Sequence, residues 1–423
     1  MINRDLVIIG GGPAGLAAAM GAYDSGIRDV VILEREPRLG GILNQCVHNG
    51  FGLHTFKEEL TGPEYAQRFI DQVLKRNIEC LVGTTVINVT HEKEVTYVNA
   101  EQGVVTVKAK AVIFACGCRE RPRGAINIAG ARCAGIYSAG TAQRLVNMEG
   151  LKPGSKAVIL GSGDIGLIMA RRMTFEGCEV KACVELMPYS SGLNRNIVQC
   201  LNDYGIPLML SHTVTKINAK DGRVSSVIIS AVDEKLCPVP GTETEIECDT
   251  LLLSVGLLPE NELARGAGVA MSPITGGAEV GDDMMTNVEG VFECGNVLHV
   301  HDLVDFVSKE SETAGVKAAQ YILSGSADKH ETVSFTTFGG VRYVVPQKLN
   351  RTDESNELSL KMRVGSVKKN VRLEVIADGE VLVSKKRRVV TPGEMENLPL
   401  TGEQVARLRK AKEISVGLNG GEQ

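Results

Sequence analysis

Apolar positions along this chain follow two patterns, and the change between them divides it near residue 330. Before that point, short apolar runs alternate with stretches of helical period. The runs at 6–9, 30–33, 111–114, 156–160, 179–184, 250–254 and 291–293 have the length and β-branched content of strands buried on both faces. Residues 16–23, 61–75, 167–175 and 308–323 predict helices; in the second, Tyr65, Phe69, Ile70, Val73 and Leu74 share one side. Alternation of strand and helix predicts an α/β fold with parallel sheets. Residues 80–107 alternate and are broken by turn residues, which suggests small antiparallel strands, and 209–229 read as strands around the turn at 219–222. Residues 122–150 read as an irregular connection and 238–247 as a hairpin excursion.

Beyond about Glu331 the helical period fades. Strand-like runs appear at 342–345, 358–364, 371–376 and 381–384, with Asp378-Gly379 as a hairpin turn. They predict a small antiparallel, sandwich-like β domain over 331–423, with a loose tail from Val416. Lys385, Lys386, Arg387 and Arg388 read as a solvated strand edge, with partner docking as the alternative.

The joints between strand and helix carry the chemistry. After the first strand, Gly10, Gly12 and Gly15 give G-x-G-x-x-G, with Pro13 and Ala14 between, and Glu34 ends the next strand. The first glycine allows a tight turn, the second lets backbone approach a pyrophosphate, and the third lets helix pack on strand. A carboxylate some twenty residues on reaches a ribose hydroxyl. The pattern recurs at Gly161, Gly163 and Gly166, with Asp164 and Ile165 inside it and Glu185 at the end of its second strand. Two complete copies form an internal repeat and predict two dinucleotide sites. No Arg or Lys lies between Glu185 and Arg195, so the second site favours NAD over NADP.

Composition narrows the class without redirecting it. The 423 residues carry 43% hydrophobic and 23% charged residues, ordinary for a soluble globular protein of two to four domains. A net charge of −5 gives no electrostatic case for nucleic acid. No apolar run approaches a membrane span, and the N-terminus enters a strand at once, so no signal peptide and a cytoplasmic location are expected. Eleven cysteines between Cys46 and Cys294, with no C-x-x-C, do not form a secreted disulfide framework.

Taken in order, GGGPAG, the Ala115-Cys116-Gly117 turn, GSGDIG and GVFECGN resemble the pyridine nucleotide-disulfide oxidoreductase superfamily over about residues 4–325. The resemblance implies a glutathione-reductase-like arrangement of two Rossmann-like domains: an FAD domain of 1–120 and 250–328, and an NAD domain of 121–249. It implies FAD at the first signature and NAD(H) at the second. Arg35, Gly41, Ala115, Gly117, Gly256, Gly295 and Asn296 join the glycines and glutamates as cofactor-binding candidates. Asn296 stands where the family has an aspartate on the ribityl chain. The paired redox cysteines are missing, and ILNQCVHNGFG and CGNVLHVHDLVD resemble a branch encoded beside anaerobic glycerol-3-phosphate dehydrogenase-like subunits. That implies transfer of electrons between NAD and a partner flavoprotein dehydrogenase subunit. The alternatives are a self-sufficient NADH oxidase or amine/opine dehydrogenase, and a non-catalytic flavin-binding sensor or scaffold. Homo-oligomerisation is open.

Hydride transfer between nicotinamide and flavin needs orientation more than acid–base groups. Cys46 and His48 are the catalytic candidates, as an acid–base pair or a thiolate against flavin, with simple packing as the competing reading. The resemblance implies that the 308–323 helix aims its N-terminus at the flavin's pyrimidine edge, with Lys309 in its first turn as a further candidate. His299, His301 and Asp302 form H-x-H-D; a zinc site with Cys46 or His48 is a minor alternative, and no metal is assigned. Arg119, Glu120 and Arg121 are expected to pair with one another at the domain crossover.

Overall fold

A computed structural model describes residues 2–325, 331–353 and 357–421. The chain forms two compact units, Met1–Cys118 with Pro259–Gln423, and Arg119–Leu258. The boundary expected between 328 and 331 and the last two residues of the tail lie outside the described residues.

The first unit begins with β1 (Ile2–Ile9), α1 (Pro13–Asp24) and β2 (Val30–Leu33), then α2 (Gly62–Lys75), β3 (Glu79–Leu81), β4 (Thr85–Val89), β5 (Glu94–Asn99) and β6 (Gly103–Phe114). The sheet order is β3-β2-β1-β6-β5-β4, and β1 sits parallel between β2 and β6, with Leu6 opposite Val30 and Ala111. The strand expected at 111–114 is the second half of a twelve-residue strand. Val107 and Ala109 alternate inward from Lys108 and Lys110, and no turn residue separates them from the apolar run. The first half of β6 pairs antiparallel with β5.

In the second unit, β7 (Ile136–Ser138), α3 (Ala139–Asn147), β8 (Lys156–Leu160), α4 (Asp164–Phe175), β9 (Glu179–Val184) and β10 (Leu208–Met209) precede β11 (His212–Lys220), β12 (Arg223–Ala231), β13 (Thr244–Glu247) and β14 (Thr250–Leu253). The parallel sheet runs β7-β14-β8-β9-β10, and β11, β12 and β13 pair antiparallel in a separate sheet, with Ala129–Gly130 added parallel to β11. Helix α3 corrects the irregular reading of 122–150. Ser138 caps it by accepting the Thr141 N–H at 3.2 Å, and Ala139, Ala142 and Val146 are its buried face. Only nine residues long and carrying Gly140, it shows little periodicity to a reader of the sequence.

The chain then returns to the first unit. β15 (Val291–Glu293) adds parallel to the second half of β6, with Glu293 opposite Phe114, and leads to α5 (Val304–Ser324). α5 begins four residues before the expected Ser308. It packs on α1 at backbone contact: a Cβ on Gly315 would lie 2.0 Å from the Ala18 carbonyl oxygen, and one on Gly21 would lie 2.4 Å from that of Glu312.

The C-terminal β domain consists of β16 (Thr332–Phe338), β17 (Val341–Val345), β18 (Lys348–Asn350), β19 (Leu358–Val364), β20 (Lys368–Ala377), β21 (Glu380–Val390), β22 (Glu396–Leu400), α6 (Gly402–Lys410) and β23 (Ile414–Asn419). Its sheets run β18-β16-β23-β20-β21 and β17-β19-β22 around one apolar core. Two expectations change here. The tail is not loose: β23 is the middle strand, because Ile414, Val416 and Leu418 alternate into the core. α6 was also missed, although Thr401 and Gln404 form a capping box before it. Lys385 to Arg388 do lie on an edge strand, β21, and Arg387 pairs with Glu396 at 2.5 Å.

Gly315→Ala inserts a methyl where no space exists. It should destabilise the protein by about 1–3 kcal/mol, measured by urea denaturation; an unchanged midpoint would refute the close α1–α5 packing.

Candidate functional site

Two loops, one in each unit, share a construction that depends on glycine. Gly10 turns the chain after β1 with φ +111°. A Cβ there would lie 2.4 Å from the Ala115 carbonyl oxygen, and one on Gly15 would lie 1.8 Å from that of Gly10. At Gly12 the Cβ position meets Gly41 Cα at 3.8 Å, leaving room for a ligand's approach. Gly12 is the N-cap of α1 and gives it no side-chain bond, and Pro13 opens the helix. Gly40 donates its N–H to the Gly11 carbonyl at 2.8 Å, and a Cβ on Gly41 would lie 2.9 Å from Gly12 Cα. Buried Glu34 accepts the Gly11 N–H on Oε2 and the Glu36 N–H on Oε1, each at 2.7 Å.

The second loop repeats this almost bond for bond. Gly161 has φ +98°, and a Cβ there would lie 2.0 Å from the Ser254 carbonyl oxygen. A Cβ on Gly166 would lie 2.7 Å from the Gly161 carbonyl oxygen, and Gly163 is the uncapped N-cap of α4. Buried Glu185 accepts the Ser162 N–H at 2.9 Å and its Oγ–H at 2.6 Å on Oε2, and the Met187 N–H at 2.9 Å on Oε1. In both loops the glutamate holds the residue after the first glycine and the residue two places beyond itself.

Other expected residues divide. Asp164 turns its carboxylate to its own chain, accepting Leu193 N–H at 2.9 Å and Asn196 Nδ2–H at 2.7 Å. It braces the loop after Glu185, while Ile165 packs against the unit's core. Gly256 (φ +101°) accepts the Arg121 N–H at 2.9 Å. Glu120 accepts the Gly140 N–H at 2.8 Å, which places its carboxylate at the start of α3. Ala115 donates its N–H to Ile9, and Gly117 (φ +72°) accepts the Glu260 N–H. Gly295 (φ +74°) lies against the start of α1, where its Cβ would be 2.8 Å from Ala14 Cβ. Asn296 spends its Oδ1 on the His301 N–H at 3.0 Å. Arg35 is exposed.

At Cys46 the surroundings favour the thiol over the thiolate. Burial pushes its pKa up to about 12, and its Sγ–H donates to the Ile42 carbonyl at 3.3 Å. His48 lies tilted against Phe51, with ring centroids 5.1 Å apart and an interplanar angle of 50°. Lys309 is exposed on α5. Asp302 does not join the histidines in a metal set; it pairs with Arg363 and accepts the Met395 N–H at 2.6 Å.

A family model for pyridine nucleotide-disulphide oxidoreductases matches residues 4–321. The chain belongs to this family. Its members are FAD-dependent NAD(P)H oxidoreductases. The chain is 26% identical over 358 residues to the glutamate synthase [NADPH] small chain of Mycobacterium tuberculosis, covering 77% of this chain and 68% of that one. It is 28% identical over 281 residues to an opine oxidase subunit of Agrobacterium tumefaciens, covering 62% and 54%, so it spans about half of that relative. Thioredoxin reductase from T. acidophilum superposes with a TM-score of 0.61 at 25% identity, covering 78% of this chain and all of that one. Among the described residues no helix is long and apolar enough to cross a membrane. The eleven cysteines are thiols outside any disulfide, and burial pushes Cys116 to about 12.

Sequence reading singled out His299 and His301 but missed the buried partner they share. Glu310, on α5, receives four donors: Gly295 N–H at 3.0 Å and His301 Nε2 at 3.1 Å on Oε1, His299 Nε2 at 2.9 Å and Lys361 Nζ at 2.5 Å on Oε2. Burial opposes the charge on Glu310, but Lys361 and the two histidines hold its pKa well below the ordinary carboxylate range. Burial, then His301, lowers His299 to about 4, so it is neutral at pH 7 and donates from Nε2. The two imidazoles and the carboxylate have ligand atoms within 4.8 Å of one another, a spacing that suits a metal ion. The Lys361 ammonium already supplies the cation, so Glu310 and Lys361 balance without one.

Asp305, in the first turn of α5, accepts Thr55 N–H at 2.7 Å and Gly52 N–H at 3.3 Å. It ties the loop after Cys46 to the helix. Glu293, at the end of β15, accepts the Ala278 N–H at 2.8 Å and is pushed up to about 8 by burial.

The depressed His299 sets a sign. The unfolded chain binds its proton below about pH 6.5 and the folded chain below about 4, so its contribution to stability is lost as pH falls through that window. His299→Gln keeps a donor that cannot titrate. It should flatten the fall of stability between pH 6.5 and 4 by up to one proton, about 1.4 kcal/mol per pH unit, as read from urea midpoints across pH. An unaltered slope would mean that His299 is charged in the fold.

Proposed function

We propose that this chain passes hydride between NAD(H), held at Gly161, Gly163 and Gly166, and FAD, held at Gly10, Gly12 and Gly15. We further propose that it does so as the electron-transfer subunit of a glycerol-3-phosphate dehydrogenase-like complex. The observation that carries this is the duplicated glutamate geometry: Glu34 and Glu185 are each locked by backbone N–H groups at the end of a strand, beside an uncapped helix N-terminus. Such a carboxylate can accept from ribose hydroxyls, and such a helix end favours pyrophosphate.

The first loop fits FAD. Gly12 and Gly41 leave backbone against backbone with no side chain in the way, and Gly295 brings the return loop to the same helix end. Asn296, whose Oδ1 is taken, would offer Nδ2–H to the ribityl chain. When bound, FAD supplies the two-electron acceptor that no side chain here can replace. The protein's part is to orient it and to exclude side reactions. Glu185 would repel a 2′-phosphate, which favours NAD.

The lack of a C-x-x-C dithiol and the burial that raises the Cys46 pKa favour electron transfer over disulfide reduction. Relatives named as subunits, one of an opine oxidase and one, HcnB, of the hydrogen cyanide synthase of Pseudomonas protegens, favour the same role here.

Purified protein should absorb at about 450 nm and bleach anaerobically with NADH faster than with NADPH. Absence of flavin absorbance after FAD addition would sink the assignment. Glu185→Ala should raise KM for NADH roughly tenfold, on the scale of one lost hydrogen bond to a charged group, and erode the preference over NADPH. Cys46→Ser should leave the bleaching rate within about twofold, since a protonated thiol and a hydroxyl are alike in donating a hydrogen bond. Purification from the native host should bring down a flavoprotein dehydrogenase subunit, identified by mass; full turnover with a small substrate and no partner would favour a self-sufficient dehydrogenase instead.

A further inference from the structure

β19 alternates, and both of its faces are engaged. Leu358, Leu360, Met362 and Val364 enter the core of the C-terminal domain. The opposite face sends Lys361 and Arg363 into the loop that joins β15 to α5. Lys361 pairs with Glu310, and the Arg363 guanidinium donates to the Val300 carbonyl at 3.1 Å and pairs with Asp302. The same guanidinium donates to the Gly393 carbonyl at 2.6 Å, and the Met395 N–H closes on the other oxygen of Asp302. Farther along, Arg409 pairs with Asp282 at 2.8 Å, Asn350 N–H donates to Asp282, and Lys317 pairs with Asp353 at 2.7 Å. The attachment is a set of largely buried ion pairs, of which those of Lys361 and Arg363 meet α5 and the loop that leads into it.

Glu310 is where this attachment reaches the cofactor-binding candidates. Its carboxylate holds the N–H of Gly295, the residue before Asn296, and Gly295 lies against Ala14 at the head of α1. The Glu310 Cα stands about 9 Å along the axis from the start of α5, and its carboxylate leans back toward that start to reach Gly295. With its side chain fully buried, an unpaired negative charge there would be poorly screened and would oppose the positive end of α5. Lys361, with its side chain 12% exposed, removes that charge.

We propose that Lys361 is a positioning residue of the flavin site: from the C-terminal domain it neutralises Glu310, and thereby fixes the 295–302 loop and raises the electrostatic potential at the head of α5. The inference rests on the FAD reading of the first loop. It gives the C-terminal domain a task in tuning the flavin, separate from any docking through the basic edge of β21.

The test is a charge cycle on the FAD-loaded protein, read by anaerobic redox titration and by FAD dissociation. Lys361→Met should shift the flavin midpoint to more negative potential and weaken FAD retention by roughly 10–100-fold, the range for partners one shell removed from a bound centre. Lys361→Arg should restore both. The double variant Lys361→Met with Glu310→Gln should bring the potential back toward wild type, because no charge is then left unpaired. A potential unmoved by Lys361→Met would overturn the proposal, as would a double variant as displaced as the single one, which would mark a packing effect. Stoichiometric zinc in the wild-type protein, lost together with flavin on chelation, would also overturn it, since a metal would then hold Glu310. If the wild-type protein takes up no FAD, the functional reading fails by itself. The ion-pair inference is then read from urea midpoints of the apoprotein: it stands if the single variant is less stable than the double, and falls if it is not.

Discussion

Backbone meets backbone in this protein at distances that no side chain tolerates, and the fold is arranged around those contacts. Gly10 against Ala115 and Gly15 against Gly10 bring the first strand, its neighbour and the following helix to one point. Gly315 and Gly21 do the same for the two helices stacked behind. These contacts leave helix N-termini bare and glutamates locked by peptide groups. The second unit reaches the same solution with Ser254 as the backbone it meets. A rigid turn is thereby made before any ligand arrives, so little ordering cost remains to be met on binding.

The C-terminal domain changes how the first unit is understood. By sequence it looks like an appendage with its own core. In the structure its strand β19 ends the isolation of a buried carboxylate 51 residues upstream. A buried ion pair of this kind contributes little net stability by itself. Removing one partner is the costly event, and this makes Glu310 and Lys361 interdependent. Glu310 accepts from Gly295, two imidazoles and an ammonium at once, which is all that a carboxylate's lone pairs can accept.

Local features were legible, and partnerships at a distance were not. The glycines and terminal glutamates could be read because their spacing is dictated by one turn of chain and one crossover. The strands with unbroken apolar runs were equally plain. α3 was hidden because nine residues with a glycine leave too short a stretch for a period to show. The first turn of α5, Val304 to Val307, reads as an apolar loop until Asp305 is seen gathering N–H groups from residues 52 and 55. His299 and His301 stood out as chemistry-bearing residues, but their partner could not be named. Glu310 looks like an ordinary helix-surface acid, and Lys361 like the solvent face of an alternating strand. The useful signal was the alternation itself: a polar face carrying two long cations opposite four apolar residues fits a strand pressed against acidic structure as well as one facing water. Cys46 shows the reverse case: a cysteine two residues from a histidine suggests reactivity, and only its surroundings, which raise its pKa, speak for the thiol.

The position of Lys361 in the chain also sets a clock on biosynthesis. Gly15 leaves the ribosome some 346 residues before Lys361 does. At about 5–20 residues per second, that interval is on the order of 20–70 s. Through that time the nascent first unit holds its nucleotide loop, and later Glu310 with its two histidines, without the cation that completes the set. Closure of β19 onto the loop is therefore a late event. A nascent chain truncated before β19 would carry the first loop together with an uncompensated buried acid.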